Sequence, residues 1–273
     1  MSPLNNILLS INRLLSKKKR IHPLMLEKES KGAYARWEYD LAKKTLLYFP
    51  DEMMNPKLFE GKRVLDLCCG AGGKSVLLAQ MGARVTGVDI DEGFIDMTRD
   101  FADSQDVDID FHVGDARDLR FEEKSFDYVF SFDALEHVDP PEDMLTQAKR
   151  VLVGGGRLIM SFTNWERHDG HHMTDAISLP WIHLMISQKR LLDMYRHLVG
   201  DDMYVLRAGS YESERIAYVN RLRLKTARRI IEESGFKKIH YREITYGGAL
   251  GAIAGIPGMK KYLTRVITTV LEA

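Results

Sequence analysis

The sequence predicts an α/β fold, a mostly parallel sheet with helices on both faces, and three observations predict it. Apolar strand-like runs alternate with helix-like segments between residues 63 and 163. Short glycine turns join them. One run, Arg63-Val64-Leu65, closes on Asp66-Leu67-Cys68-Cys69-Gly70-Ala71-Gly72-Gly73 and opens directly into Lys74-Ser75-Val76-Leu77-Leu78-Ala79, which reads as strand, glycine turn and helix. Such a turn lets a ligand approach the backbone at a helix N-terminus, where free N–H groups point outward. Nineteen residues after Gly70, at the end of Val85-Thr86-Gly87-Val88, stands Asp89. An acid there can take both hydroxyls of a ribose, so the pattern points to a nucleoside-like cofactor.

The elements follow in order. Residues 2–20 form one amphipathic helix: Ser2 can cap it, Pro3 takes its first position, and Leu4, Ile7, Leu8, Ile11, Leu14 and Leu15 fall on one stripe. Lys17-Lys18-Lys19-Arg20 places positive charge at its end. A second helix covers 35–48. Strands are expected at 63–68, 84–89, 109–114, 126–132 and 157–163, the last after the turn Gly154-Gly155-Gly156, with helices at 73–81, 92–104 and 141–152. The alternation breaks after Thr163, and 164–215 is rich in Trp, Tyr, His and Met without a clean βα unit. It reads as an insertion over the strand ends. A helix at 219–234 stops at Gly235; a strand (237–244), an apolar glycine-rich loop (247–258) and a last strand (265–271) follow. The last two strands suggest an antiparallel edge pair. The expected division is therefore a helical extension, residues 1–58, and one domain, 59–273, with an inserted lid at 164–215.

Totals set bounds. A chain of 273 residues, 45% hydrophobic, supports one large domain with a full core. Its formal net charge of zero makes the whole protein a poor match for a polyanion. The only cysteines, Cys68 and Cys69, are adjacent and unsuited to a disulfide, so a reducing cytoplasm is the expected compartment. No apolar run reaches membrane-spanning length. The N-terminus does not read as a signal peptide, because its basic run follows its apolar part.

Five segments in register resemble the class I S-adenosylmethionine-dependent methyltransferases. Val64-Leu65-Asp66-Leu67-Cys68-Cys69-Gly70-Ala71-Gly72-Gly73 resembles the family's first motif, and Val88-Asp89-Ile90-Asp91 its second. Gly114-Asp115-Ala116 resembles the adenine-contact motif, Phe126 to Val138 the fourth-strand motif, and Gly156-Arg157-Leu158-Ile159 the strand after it. The resemblance implies a Rossmann-like, mostly parallel seven-stranded sheet with an antiparallel C-terminal strand. It implies S-adenosylmethionine as cofactor, with S-adenosylhomocysteine as product. It places Asp66 at the methionine ammonium, the Gly70–Gly73 turn at the methionine carboxylate, Asp89 on the ribose, Ile90 on the adenine face, Asp115 and Ala116 at the adenine edge, and Phe132 near the methionine arm. Cys68 stands where the family usually has glycine, and is strained if φ is positive there. A dinucleotide-binding oxidoreductase is the competing reading. It wants a third glycine where Ser75 stands, and leaves Asp133–His137 unexplained. A cofactor-binding protein without catalysis is a further alternative.

Methyl transfer needs chiefly a nucleophile held in line, and a base only where the acceptor must lose a proton. His137, after the fourth strand, is the candidate base or acceptor-orienting residue. Trp165-Glu166-Arg167-His168-Asp169-Gly170-His171-His172, with Pro180-Trp181-Ile182-His183-Leu184, resembles an insertion of a bacterial methyltransferase subgroup. It makes His171, His172 and His183 candidate acceptor-site residues, with helix capping as the competing role. No metal is expected, because no close carboxylate or cysteine set accompanies these histidines. The expected reaction is methyl transfer, at oxygen, to a small, sugar-like or lipid-like acceptor. The N-terminal helix suits packing on its own domain, a homodimer contact or the surface of a membrane. Nucleic acid is not the expected acceptor, since Asp133-Ala134-Leu135-Glu136 stands where an Asn-Pro-Pro-Tyr-like base-flipping motif would be.

Overall fold

Strand β1 (Arg63–Leu67) is the third strand of a seven-stranded sheet. Its neighbours are β2 (Arg84–Asp89) and β4 (Phe126–Phe132), both parallel to it. β3 (Asp110–Val113) extends one side and β5 (Leu152–Phe162) the other, again in parallel. β7 (Thr264–Glu272) runs antiparallel to β5, and β6 (Lys237–Thr245) forms the edge, giving the order β3-β2-β1-β4-β5-β7-β6. This computed structural model describes residues 3–16, 32–201, 216 and 218–273.

Ten helices accompany the strands among the described residues: α1 (Pro3–Leu15), α2 (Ala33–Leu46), α3 (Gly73–Gln80), α4 (Glu92–Ser104), α5 (Pro141–Val151), α6 (Ile182–Met185), α7 (Gln188–Val199), α8 (Leu224–Glu233), α9 (Gly248–Ala254) and α10 (Lys260–Leu263). The local reasons are legible. Asp91 caps α4 by accepting from Gly93 N at 2.8 Å and Phe94 N at 3.3 Å. Pro141 opens α5 at its first position. Gly235, at φ 72°, follows α8 in the left-handed conformation of a C-cap.

Four expectations change. The glycine triplet lies inside β5 rather than before it: the pairing steps from Phe126↔Leu152 to Tyr128↔Arg157, and the extra residues bulge out. α8 starts at Leu224 rather than 219. Ahead of it, the Leu222 carbonyl accepts from Trp165 N at 2.7 Å, which pulls that stretch out of helical geometry. The apolar segment 247–258 holds a helix, α9, because Ala249, Leu250, Ala252 and Ile253 favour one once Gly248 has turned the chain. α1 ends at Leu15, while Lys17–Arg20, the basic end expected of it, lie outside the described residues.

The described residues fall into two compact units. One takes in Pro23–Phe162, Lys225–Ile244 and Val266–Ala273 and holds most of the sheet with its helices. Its core includes an apolar cluster around Phe49, Phe59, Val64, Phe130, Phe132 and Ile159 and another around Cys69, Val76, Ile95, Phe101 and Phe111. The other unit takes in Met1–His22, Thr163–Leu224 and Thr245–Arg265, and is built around Leu9, Trp165, Met173, Ile177, Leu191, Leu192 and Tyr195.

Helix α2 crosses the first turn of α3 at backbone distance. A Cβ on Gly73 would lie 2.3 Å from both the Ala35 carbonyl oxygen and the Tyr39 nitrogen. Only glycine permits this approach, and it is backbone, not a flexible side chain, that stands in the way. Gly73→Ala should therefore cost about 1–3 kcal/mol or more, read as a lower midpoint in urea unfolding with an unchanged m-value. An unaltered midpoint would mean that the α2–α3 crossing is not the tight contact described.

Candidate functional site

The glycine loop after β1 turns through three left-handed residues: Cys68 at φ 62°, Gly70 at 59° and Gly72 at 81°. Non-glycine residues pay on the order of 1–2 kcal/mol for this region, and Cys68 carries that cost. Burial first, and then nearby Asp89, push its thiol up to about 12, and the Cys69 thiol is likewise raised. Neither is a nucleophile at neutral pH. Both line the wall of the loop.

Asp89 is held ready at the end of β2. Its Oδ2 accepts from Gly70 N at 2.9 Å and its Oδ1 from Asp91 N at 3.1 Å. Two backbone donors thus fix both oxygens while their remaining lone pairs stay open to a diol. Ile90 next to it is 66% exposed, and Val113, paired with Asp89 in register, is exposed as well. Two apolar side chains at adjacent strand ends suit a flat heterocycle. The sequence singled out Ile90 but missed Val113, which reads simply as a strand residue.

Asp115 grips its own turn. It takes Arg117 Nε on both oxygens at 3.0 Å and Arg117 N at 2.8 Å, and the Arg117 guanidinium holds its carboxyl below the usual range. Ala116 is buried behind it. The Gly114 nitrogen donates to the Asp89 carbonyl at 2.9 Å and brings this turn beside the second strand end. Phe132 is buried in the core, stacked on Phe49 at 5.8 Å, and offers the loop its carbonyl rather than its ring.

Asp66 is sealed under the loop. Its Oδ2 accepts from Ser75 Oγ at 2.7 Å, whereas the buried Oδ1 has no hydrogen-bond partner. Burial raises its pKa, and Lys74 works against that rise. Lys74 is a residue that sequence reasoning missed. Its Nζ donates to the carbonyls of Cys68 at 2.9 Å and Phe132 at 3.3 Å, joining the C-terminal ends of β1 and β4. Burial opposes its charge, but Asp66 and Glu38 outweigh burial and its pKa lies above the ordinary lysine value.

Glu38, on α2, was missed too. Its Oε2 accepts from Gly73 N at 3.4 Å, and the Ala71 backbone also donates to its carboxylate. A Cβ on Gly70 would lie 2.4 Å from Glu38 Oε1, so this carboxyl sits directly on the loop. Burial pushes it up to about 7 against the pull of Lys74 and the loop N–H groups.

His137 is exposed, in the turn Leu135–His137 after β4. The insertion histidines lie in the other unit. His171 is 1% exposed, and its Nδ1 accepts from Met173 N at 2.9 Å. His183 is buried, with Nε2 on the Trp165 carbonyl at 2.8 Å, and burial lowers its pKa. His172 is half-buried, with Nε2 3.2 Å from Thr163 Oγ1. Among the described residues no group of three His, Cys, Asp or Glu side chains is arranged to hold a metal ion.

Residues 65–160 match the family model described as a methyltransferase domain. A ubiquinone biosynthesis O-methyltransferase of Coxiella burnetii (strain Dugway 5J108-111) is 37% identical over 105 residues, 38% of this chain and 45% of that protein. One of Cereibacter sphaeroides (strain ATCC 17025 / ATH 2.4.3) is 30% identical over 158 residues, 58% of this chain and 63% of that protein. The chain thus spans less than half of the Coxiella relative's length. Among solved structures, a protein of Pyrococcus horikoshii OT3 superposes with a TM-score of 0.54 at 25% identity, covering 86% of this chain and 91% of the other. An S-adenosylmethionine dependent methyltransferase from Mesorhizobium loti, 20% identical, gives 0.54 over 88% and 98%, a likeness of fold. The matched segment, Leu65 to Met160, runs from β1 to β5 of a Rossmann-like sheet.

The protonation of Glu38 has a consequence for stability. Its folded pKa, about 7, lies above the ordinary 4.5, so the fold favours the protonated carboxyl. That stabilisation is full below about pH 4.5 and is lost as pH rises through about 7. Glu38→Gln mimics the protonated form. It should melt close to the wild type at about pH 5 and higher than the wild type at about pH 8. Equal melting temperatures at both pH values would show that Glu38 is not desolvated at the loop.

Proposed function

We propose that this protein transfers the methyl group of S-adenosylmethionine to an oxygen of a small-molecule acceptor, sugar-like or lipid-like in character. The observation that carries the reading is Asp89, pinned by Gly70 N and Asp91 N beside a left-handed glycine loop, within a segment that matches a methyltransferase domain. Its likeness to relatives named for O-methylation supports oxygen as the acceptor atom.

The residues present fit the cofactor. Gly70 has no side chain where the loop must be approached, and Asp66 keeps one buried oxygen without a partner. When bound, S-adenosylmethionine supplies an electrophilic methyl group on a sulfonium. In this reading Asp89 takes the ribose diol, Ile90 and Val113 flank the adenine, and Ala116 and Asp115 meet its edge. Cys68, Gly70 and Gly72 form the turn beneath the methionine end, and Phe132 backs it. Asp66 acts through the loop and Ser75, and the buried Glu38 carboxyl lies against the loop at Gly70 and Gly73.

His137 is the residue proposed to touch the acceptor, taking the hydroxyl proton at its ring nitrogen or orienting the oxygen. A base of this kind adds about 10²- to 10⁴-fold to the rate. For His171 and His172 a shaping role is proposed. A buried imidazole whose Nδ1 already accepts from Met173 N keeps the insertion in form rather than moving a substrate proton. The insertion Gly170-His171-His172 with Pro180-Trp181-Ile182-His183-Leu184 is proposed to mark a bacterial small-molecule methyltransferase subgroup.

Calorimetric titration with S-adenosylmethionine, S-adenosylhomocysteine and NAD tests the class. Binding of the first two, weakened on the order of a hundredfold by Asp89→Ala in a folded protein, is the expected outcome. Binding of NAD alone would overturn it. For the acceptor, His137→Ala should lower kcat by about 10²- to 10⁴-fold and leave cofactor affinity unchanged. Wild-type turnover in that variant would remove His137 from the mechanism.

A further inference from the structure

Helix α1 docks with the wrong face for an ordinary amphipathic helix. Its buried residues are Asn5, Leu9 and Asn12, at helical spacing. Asn12 Nδ2 donates to the Ala176 carbonyl at 2.8 Å, and its Oδ1 accepts from Ser178 N at 2.7 Å. Ser16 Oγ donates to Ser178 Oγ at 3.0 Å and fastens the end of the helix. Of the stripe that the sequence shows, only Leu8 is partly buried against that unit's cluster, and the rest faces outward. Leu4, Ile7, Ile11, Leu14 and Leu15 are all exposed, Ile7 at 57% and Leu14 at 80%. A contiguous row of five aliphatic side chains in water is unusual for a helix already anchored by polar bonds.

The same unit exposes further large apolar side chains: Met185 at the end of α6, and Leu250, Ile253 and Ile256 on and just beyond α9. Charge tells what kind of surface fits the row. The first twenty residues hold no Asp or Glu, and they hold Arg13, Lys17, Lys18, Lys19 and Arg20. An aliphatic stripe followed at once by four consecutive cations is complementary to an apolar layer edged with negative charge. No described helix is long and apolar enough to cross a membrane, so a layer of this kind would be met at its surface.

We propose that α1 is a membrane-surface anchor: its Leu4, Ile7, Ile11 and Leu14 row inserts into the interface of an anionic bilayer, which the positive charge of the sequence Lys17-Lys18-Lys19-Arg20 favours. The proposal is independent of the methyl-transfer reading. It rests on exposed side chains and on charge, and its test needs no cofactor.

Flotation of the full chain with vesicles decides it. The protein should rise with vesicles of phosphatidylcholine and phosphatidylglycerol, stay behind with phosphatidylcholine alone, and be released by added salt. Replacing Lys17, Lys18, Lys19 and Arg20 by Gln should weaken partitioning about fivefold per cation removed. The exposed-row variant Ile7→Ser, Ile11→Ser, Leu14→Ser should abolish flotation while its circular dichroism and melting temperature stay those of the wild type. No flotation of the wild-type chain with anionic vesicles would overturn the proposal. So would a dimer in sedimentation velocity that this triple variant dissolves while flotation persists, since the row would then belong to a second copy of the chain.

Discussion

One buried ammonium organises the site. Lys74 Nζ joins the carbonyls at the ends of β1 and β4. That is where the strand order β3-β2-β1-β4-β5 reverses direction, the switch point at which ligands of open α/β sheets bind. A lysine there is tolerated only with acids to face it, and Asp66 and Glu38 supply them. Glu38 reaches the loop because α2 crosses α3 at backbone distance, and that crossing exists because residue 73 is glycine. The chain of dependence runs from one missing Cβ to a helix crossing, to a buried carboxyl, to a buried lysine, to the spacing of two strand ends.

Strain gathers at the same place. Cys68 and Asp133, at φ 62° and 53°, are non-glycine residues in the left-handed region, one after β1 and the other after β4. Asp133 is held there by its N–H on the Ser161 carbonyl at 2.8 Å, a tie to the third strand of the crevice. Sparsely populated backbone persists only where surrounding structure over-determines it. Here the tie at Ser161 and the lysine at Cys68 do so, and they hold both strand ends in a fixed shape before any ligand arrives. Asp89, with both oxygens fixed by backbone donors, follows the same logic.

What the sequence made legible is what lies close along the chain. The glycine loop, Asp89 and the cap at Asp91 each depend on residues within a strand–turn–helix unit, and local order is readable. Glu38 is thirty-five residues from the Gly73 nitrogen that it accepts from, and within Trp37-Glu38-Tyr39-Asp40 it looks like one more surface charge. Lys74 looks like an ordinary helix residue, because nothing local says that its stem will fold back over the loop. The bulge in β5 was hidden because three glycines in a row read as a turn, while the pairing of Leu152 with Phe126 is a tertiary event. Periodicity found α1 and left open what its stripe meets, since amphipathicity tells which residues share a side and not what that side meets.

The seating of α1 has physical content. Burying an asparagine is costly unless its amide is satisfied, and Asn12 is satisfied at both ends by the backbone of residues 176 and 178. A pair of directional bonds of this kind fixes the rotation of the helix about its own axis, which a greasy stripe alone does less sharply. With rotation fixed by polar bonds, the aliphatic row takes no part in seating the helix. The row over Leu4, Ile7, Ile11 and Leu14 is left exposed at helical spacing, and that is the surface the proposed membrane contact would use.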